Sequence, residues 1–352
     1  MIKLVEIGNV KDGDILARAI VTEEYNELLP KGTALKTDYI KRLSELGVTE
    51  VYIEGEGITE QEAAILKDEV KEKCREQVQT IISKHTYKTD NSDMVILSKT
   101  TEDIISNILE DENVVEQVYE IKERSADIYE HSISVCSLSM LVALRLKLDR
   151  ESVSDIGVGC LLHELGLRYT TVEYENCDIN SLSEKNLAEY KKHPVYGYSA
   201  IQHENWLSQR SKEIVLGHHE RIDGSGYPLH TKNQSREVCI VEVCDFFDEV
   251  ICGIGYEKLK VHEVIEYLKI YKGLTFSEEV VNELFTFVAV YPAGSKVITS
   301  NGEQAIVIGQ NKGFPERPIL KLLTDREGNE VTDDVTIDLL EHNSMFIKPY
   351  IG

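Results

Sequence analysis

The chain of 352 residues is too long for one compact core and is expected to divide into two or three domains. Hydrophobic residues make up 42% and charged residues 28%, an ordinary globular balance, and no run approaches the roughly eighteen apolar residues of a membrane span. A net charge of −24 argues against a nucleic acid polymer or an anionic membrane as partner, since either needs a basic face. It leaves room for a small anionic ligand, because bound cations can make one pocket positive inside an acidic protein.

The first stretch, "MIKLVEIGNVKDGDIL", carries acids and two glycines where a signal peptide needs an apolar core, so a cytoplasmic protein is expected. The seven cysteines include no C-x-x-C pair, and several lie in apolar runs such as "GVGCLLHELGL". They read as reduced core thiols.

Residues 1–57 mix the β-prone runs "DILARAIV" and "EVYIEG" with the helical pattern "KTDYIKRLSELG", whose Tyr39, Leu43 and Leu46 recur at helical spacing before Gly47. This predicts a small α+β module. Residues 58–98 read as a charged, solvated connecting helix from Thr59 to about Lys84, followed by the loop "HTYKTDNSD". From 99 to 289 the pattern is almost wholly helical, with helices predicted over 151–168, 183–206, 211–219, 237–252, 261–270 and 277–288. Near residue 290 the period changes to two. "SNGE" between β-prone runs predicts a hairpin, and residues 290–352 a small β domain.

Five histidines share a setting: His131 in "DIYEHSISV", His163 in "LLHELG", His193 in "YKKHPVYG", and His218 and His219 in "LGHHE". Each borders an amphipathic helix, as does Asp245 in "VEVCDFFDEV". A lone histidine in such a place is more often a satisfied core residue than a ligand. Five of them with carboxylates in one helical region favour a metal site, since imidazole and carboxylate suit Fe, Mn or Zn and converging helices can build a two-metal centre.

The stretch "HHERIDGSGYP" resembles the signature of the HD-GYP family, bacterial phosphodiesterases of the second messenger cyclic di-GMP within the HD phosphohydrolase superfamily. "YEHS", "LLHELG", "LSEKNLAEYKKHPVYGY" and "VCDFFDEV" follow the family order around it, over roughly residues 118–288. The tail "VYPAGSKVITSNGEQAIVIGQN" and the N-terminal "GDILARAI" segment are similar to modules that flank such domains. The resemblance implies a mainly α fold, a helical HD-type bundle flanked by a small N-terminal α+β module and a small C-terminal β domain. Carried over position by position, it implies metal ligands at His131, His163, Glu164, His193, His218, His219 and Asp245. Asp127, one helical turn before His131, corresponds to the acid that holds a third metal in a subset of the family; the plain alternative is an exposed helix acid. Catalytic roles fall on Glu164, His193 and Asp245. Substrate contacts fall on Arg221, Gly224, Gly226, Tyr227 and Pro228, although Tyr227 and Pro228 would equally serve to pack the loop down.

Three departures stand out. The name-giving His-Asp pair is His163-Glu164, one methylene longer. The Gly-Lys that follows in the family is Gly166-Leu167, which lacks a lysine suited to transition-state charge. The basic run after the late aspartate reads "DEVICGIGYEKLK", without arginine. Two readings therefore stand: a metal-dependent phosphodiesterase of cyclic di-GMP with two or three divalent ions, Fe or Mn, or a catalytically weakened domain that senses the nucleotide or binds a protein. A homodimer or a signalling protein partner is compatible with either.

Overall fold

The computed structural model describes residues 2–16, 20–21, 27–30, 32–45, 48, 50–54, 65–84, 91–109, 119, 121, 127–174, 178–331 and 335–348. The chain forms two compact units. One comprises Met1–Glu62, Pro292–Asn311 and Arg317–Gly352; the other comprises Ala63–Tyr291 and Lys312–Glu316.

In the N-terminal segment β1 (Ile2–Glu6) pairs antiparallel with β4 (Glu50–Glu54), and β2 (Ile20–Val21) with β3 (Glu27–Leu29). Helix α1 (Thr37–Glu45) follows β3. Leu16, Leu35, Leu43, Val51 and Ile53 form its core. The helix buries the face of Ile40 and Leu43, while Tyr39 is exposed; Leu46 and Gly47 lie outside the described residues. The C-terminal segment is a five-stranded sheet, ordered β8-β7-β6-β5-β9. Its strands are β5 (Lys296–Thr299), β6 (Gln304–Asn311), β7 (Phe314–Leu322), β8 (Thr336–Asp338) and β9 (Ile347–Lys348). The predicted hairpin joins β5 to β6 through Gly302, whose φ of 99° needs glycine. Val297, Ala305, Val307 and Leu320 alternate inward.

The helical unit contains α2 (Asp68–Lys84), α3 (Asn91–Leu109), α4 (Ile128–Arg145), α5 (Arg150–Leu162), α6 (Glu184–Tyr190), α7 (His193–Ile201), α8 (Gln209–Gly217), α9 (Arg236–Cys252), α10 (Val261–Tyr271) and α11 (Glu278–Leu284). Side-chain caps start several of them: Asp149, Ser183, Ser208 and Ser235 accept backbone N–H bonds at α5, α6, α8 and α9. Helix α4 packs on α5 and α9, and α5 on α8. From Val238 to Cys252 helix α9 is buried almost all round, with only Cys239 half-exposed, so it is the axis of the bundle.

Three helical expectations need correction. The helix over 68–84 is not a solvated connector: Cys74 and Val78 are fully buried in the helical core. Its many charged residues masked the inner face, and two of them, Lys71 and Arg75, pair with Glu130 and Asp127 near the start of α4. The loop read over 85–93 gives way to α3 at Asn91; residues 85–90 lie outside the described residues. The single helix read over 183–206 breaks into α6 and α7, with Pro194 in the first turn of α7, where its missing N–H costs nothing. Among the described residues no helix is long and apolar enough to cross a membrane. All six described cysteines are free thiols; Cys177 lies outside them.

Candidate metal centre

Each predicted histidine stands at or near a helix end that aims it inward. His131 lies in the first turn of α4. His163 and Glu164 follow α5, where the chain tightens into a 3-10 turn over His163–Tyr169. Gly166 permits this turn to press on the start of α7: a Cβ there would stand 1.8 Å from the carbonyl oxygen of His193. His193 opens α7, and His218 and His219 close α8. Asp245 lies on α9. His131, His163, Glu164, His193, His218 and Asp245 have no solvent exposure, and His219 has 2%.

The histidines are oriented by their own backbone. Nδ1 of His163 donates to the Cys160 carbonyl (2.6 Å), that of His193 to Tyr190 (2.9 Å) and that of His218 to Val215 (3.0 Å). A carbonyl oxygen only accepts, so Nδ1 carries the proton in all three, and each Nε2 keeps its lone pair. These lone pairs converge. Nε2 of His131 and His163 are 3.2 Å apart, and Nε2 of His193 and His218 are 3.1 Å apart. Two facing lone pairs repel unless a cation lies between them, and donors about 2.0–2.1 Å from a metal stand about 3 Å from one another.

The carboxylates complete two groups. Asp245 Oδ1 lies 3.1 Å from Nε2 of both His131 and His163. Glu164 spans the two histidine pairs. Its Oε2 is 3.3 Å from His193 Nε2, while Oε1 is 3.9 Å from His131 Nε2 and 4.0 Å from His163 Nε2. Donor atoms of Glu164, His193, His218 and His219 lie within 4.8 Å of one another, as do those of His131, His163 and Asp245. Both oxygens of Glu164, Oδ2 of Asp245 and Nε2 of His219 are buried without a hydrogen-bond partner. Orphaned carboxylates cost several kcal/mol each, so the donor set fits divalent cations.

Electrostatics set His131 apart from the other rings. Burial lowers His193, His218 and His219 below the usual imidazole range, and neighbouring imidazoles add to it in each case. Such rings are neutral, as metal ligands must be. Burial opposes a charge on His131 as well, but its hydrogen bonds to Asp245 and Asp248 outweigh burial and raise it. Against the same burial, His131 and His163 hold Asp245 well below the carboxylate range.

The loop after His219 is fixed from below. Tyr227 stacks on His219, ring centroids 4.6 Å apart, and its N–H donates to the His219 carbonyl. Lys191 Nζ stands 5.4 Å over the same ring. Gly224 has φ 80°, and a Cβ on Gly226 would lie 2.4 Å from the backbone of His219 to Arg221. Gly226 thus lets the loop pack and is itself buried. Glu220 accepts from the N–H groups of Leu229 and Thr231. Pro228 follows a cis peptide bond and is half-buried.

Two of the expected contacts are placed elsewhere. Asp127 does not join the centre. It caps α4, with Oδ1 accepting from Tyr129 and Glu130 N–H, and its Oδ2 pairs with Arg75 at 2.5 Å. Arg221, read as a substrate contact, is buried with its guanidinium over Phe246 and Phe276 and 3.8 Å from Glu242. Conversely, sequence reasoning missed Asp248, Glu249 and Cys252. Asp248 accepts a hydrogen bond from His131 Nδ1, and Glu249 Oε1 lies 3.9 Å from His219 Nε2. Donors of His131, Asp248 and Cys252, and of His219, Asp245 and Glu249, form two further groups within 4.8 Å. The available signal was the three- and four-residue spacing in "DFFDE", which repeats one helix face from Asp245.

A family model for the HD domain matches residues 99–280, and one for a KOW domain associated with HD domains matches 297–351. This chain belongs to the HD-domain family. It is a metal-dependent fold, and the GYP loop fits the HD-GYP branch of it. The mainly α bundle with a small C-terminal antiparallel sheet is therefore an HD-type architecture. Among curated proteins the chain is similar to a cyclic di-GMP phosphodiesterase of Pseudomonas aeruginosa, 26% identical over 69% of this chain and 59% of that protein. It is similar to the response regulator RpfG of Xanthomonas campestris, a cyclic di-GMP phosphodiesterase, at 32% over 41% of this chain and 39% of that one. A Thermotoga maritima cyclic di-GMP phosphodiesterase is 27% identical over 53% of this HD protein and 52% of its own length. The chain thus spans 39–59% of the curated relatives it matches. A solved HDG"Y"P protein of Bdellovibrio bacteriovorus, Bd1817, shares the fold at a TM-score of 0.51 and 18% identity, covering 81% of this chain and 98% of that one.

Proposed function

We propose that this HD protein is a metal-dependent phosphodiesterase that hydrolyses cyclic di-GMP. The observation that carries the reading is the convergence of four Nε2 atoms with Glu164, both of whose buried oxygens lack hydrogen-bond partners, and Asp245, whose Oδ2 lacks one. Its relatives named as cyclic di-GMP phosphodiesterases supply the substrate class. We assign His131, His163 and Asp245 to one cation position, and His193, His218 and His219 to the other, with Glu164 shared. Two divalent ions there, Fe or Mn, would polarise the phosphodiester and supply a nucleophilic water at neutral pH.

The protein's own part is positional. The backbone-tied imidazoles stay in one tautomer throughout, so no proton moves at Nδ1 of His163, His193 or His218. We assign Tyr227, stacked on His219 and topped by the Lys191 ammonium, to the substrate side of the centre, with Gly224 and Gly226 letting its loop pack down. The free thiols suit the cytoplasm. The helical domain in this proposal begins at residue 63 rather than 99, because α2 belongs to its core.

A second reading, a domain that binds the nucleotide with little turnover, is favoured by Leu167. That residue is 3% exposed and packs with Val172, Ile179 and Tyr190, so no cation occupies the position. The test is metal analysis of the purified protein, followed by chromatography of cyclic di-GMP incubated with Mn(II)-loaded protein and calorimetric titration of the nucleotide. Linear dinucleotide or mononucleotide product supports the phosphodiesterase. Binding without product supports the sensor. Metal content with neither result overturns both nucleotide readings.

A further inference from the structure

We infer that Glu249 is itself a metal ligand, and that it joins Asp245 on the α9 side of the cation position that His219 serves. This rests on the metal-centre reading above but adds a residue that the resemblance does not supply. Glu249 stands one helical turn beyond Asp245, so both carboxylates project from the same face of α9. It is completely buried, and neither of its oxygens has a hydrogen-bond partner. The atoms it faces are in the same condition. His219 Nε2, 3.9 Å from Glu249 Oε1, is buried and unpartnered, and so is Asp245 Oδ2, 3.7 Å from His219 Nδ1. One donor from each of the three falls within 4.8 Å of the others.

Two ordinary roles for a buried carboxylate, a helix cap and an ion-pair partner, are not filled here among the described residues. Glu249 does not cap a helix: α9 ends at Gly253, which bonds the Glu249 carbonyl and not its side chain. The nearby guanidinium of Arg221 lies 3.8 Å from Glu242 and over two phenyl rings. An ionised carboxylate left dry beside a second one is strongly unfavourable. A divalent cation between them answers all three orphaned donors at once, with two carboxylates and one imidazole of the hard-to-borderline kind that suits Mn(II) or Fe(II). The alternative source of an extra acidic ligand, Asp127, is already held by the start of α4 and by Arg75.

The test uses Mn(II) as probe and the full chain, with free Mn(II) followed by electron paramagnetic resonance during titration of the wild type, Glu249→Gln and Glu249→Asp. Circular dichroism of the metal-free proteins checks folding. The expected result is that Glu249→Gln, folded like the wild type, loses one equivalent of Mn(II) or binds it at least about tenfold more weakly, the scale on which even outer contacts to metals act. Glu249→Asp keeps the charge but withdraws it by a methylene, so intermediate binding is expected; it decides the matter if the glutamine variant does not fold. A wild type that binds Mn(II), with either folded variant matching its stoichiometry and its affinity within about twofold, overturns the inference and leaves the metal centre standing. A wild type that binds no Mn(II) overturns the metal-centre reading as well.

Discussion

His131 Nδ1 donates a 2.7 Å hydrogen bond to Asp248 Oδ2, joining α4 to α9 across 117 residues of sequence. The other tied imidazoles use a carbonyl three residues back in their own chain, whereas His131 borrows its anchor from a different helix. Asp248 therefore fixes the tautomer of His131 and turns its Nε2 toward His163.

Removing that anchor should loosen the metal without unfolding the bundle. Asp248→Ala is expected to weaken Mn(II) binding about 10- to 100-fold, read by titration against the wild type under one buffer. Equal affinities would mean that His131 is oriented by packing alone.

Gly166→Ala should be damaging out of proportion to its size. The added methyl meets the backbone carbonyl of His193 at 1.8 Å, and a backbone group cannot swing aside as a side chain does. Overpacking typically costs about 1–3 kcal/mol, and the upper end is expected here from urea unfolding, with metal content falling in parallel because Glu164 and His193 are pushed apart. A variant as stable as wild type with full metal content would refute the close approach of the two turns.

Stability should fall with rising pH because of Glu242. Burial pushes its carboxyl up to about 8 from 4.5, with Arg221 pulling the other way. Between those values the folded state keeps a proton that the unfolded chain has released, so ΔG of unfolding decreases as pH climbs through this window and flattens above it. The slope is about 1.4 kcal/mol per pH unit for one group. Glu242→Gln removes the titration, so its advantage over the wild type should be larger at pH 8.5 than at pH 5.5 in urea titrations. A pH-independent difference between the two proteins would contradict the buried acid.

Leu167→Lys, the change that would restore the family's lysine, should cost stability before it gains any rate. Its 3% exposure among Val172, Ile179 and Tyr190 makes Leu167 core. Burying an ammonium there should lower the melting temperature clearly, while Leu167→Met, similar in volume, should cost under about 1.5 kcal/mol. Were the lysine variant as stable as the methionine one, this apolar cluster would have to be more open than it is.

The same contrast explains what the sequence made legible. Hydrophobic period gave the helical character from 128 onward, apart from the break between α6 and α7, and a long specific motif gave the histidines in order. Neither carries depth or partnership. Asp127 reads like a ligand by spacing, yet its carboxylate is used by its own helix start and by Arg75, an interaction from a helix that looked solvated. Glu249 reads like an exposed helix acid, yet α9 is surrounded on nearly every side. Arg221 follows the loop motif, but two phenylalanines distant in sequence, Phe246 and Phe276, take up its charge. Each of these depends on contacts dozens of residues away, which local pattern cannot encode.

The carbonyl bonds of His163, His193 and His218 span only three residues each. Ring orientation at these sites is consequently a property of three short chain segments and not of their assembly. Each segment arrives at the bundle with its donor already aimed, so docking α5, α7 and α8 brings the lone pairs together without further rotamer choice. The conformational entropy of aiming these rings is lost segment by segment during folding, and little of it is left to oppose the arrival of an ion.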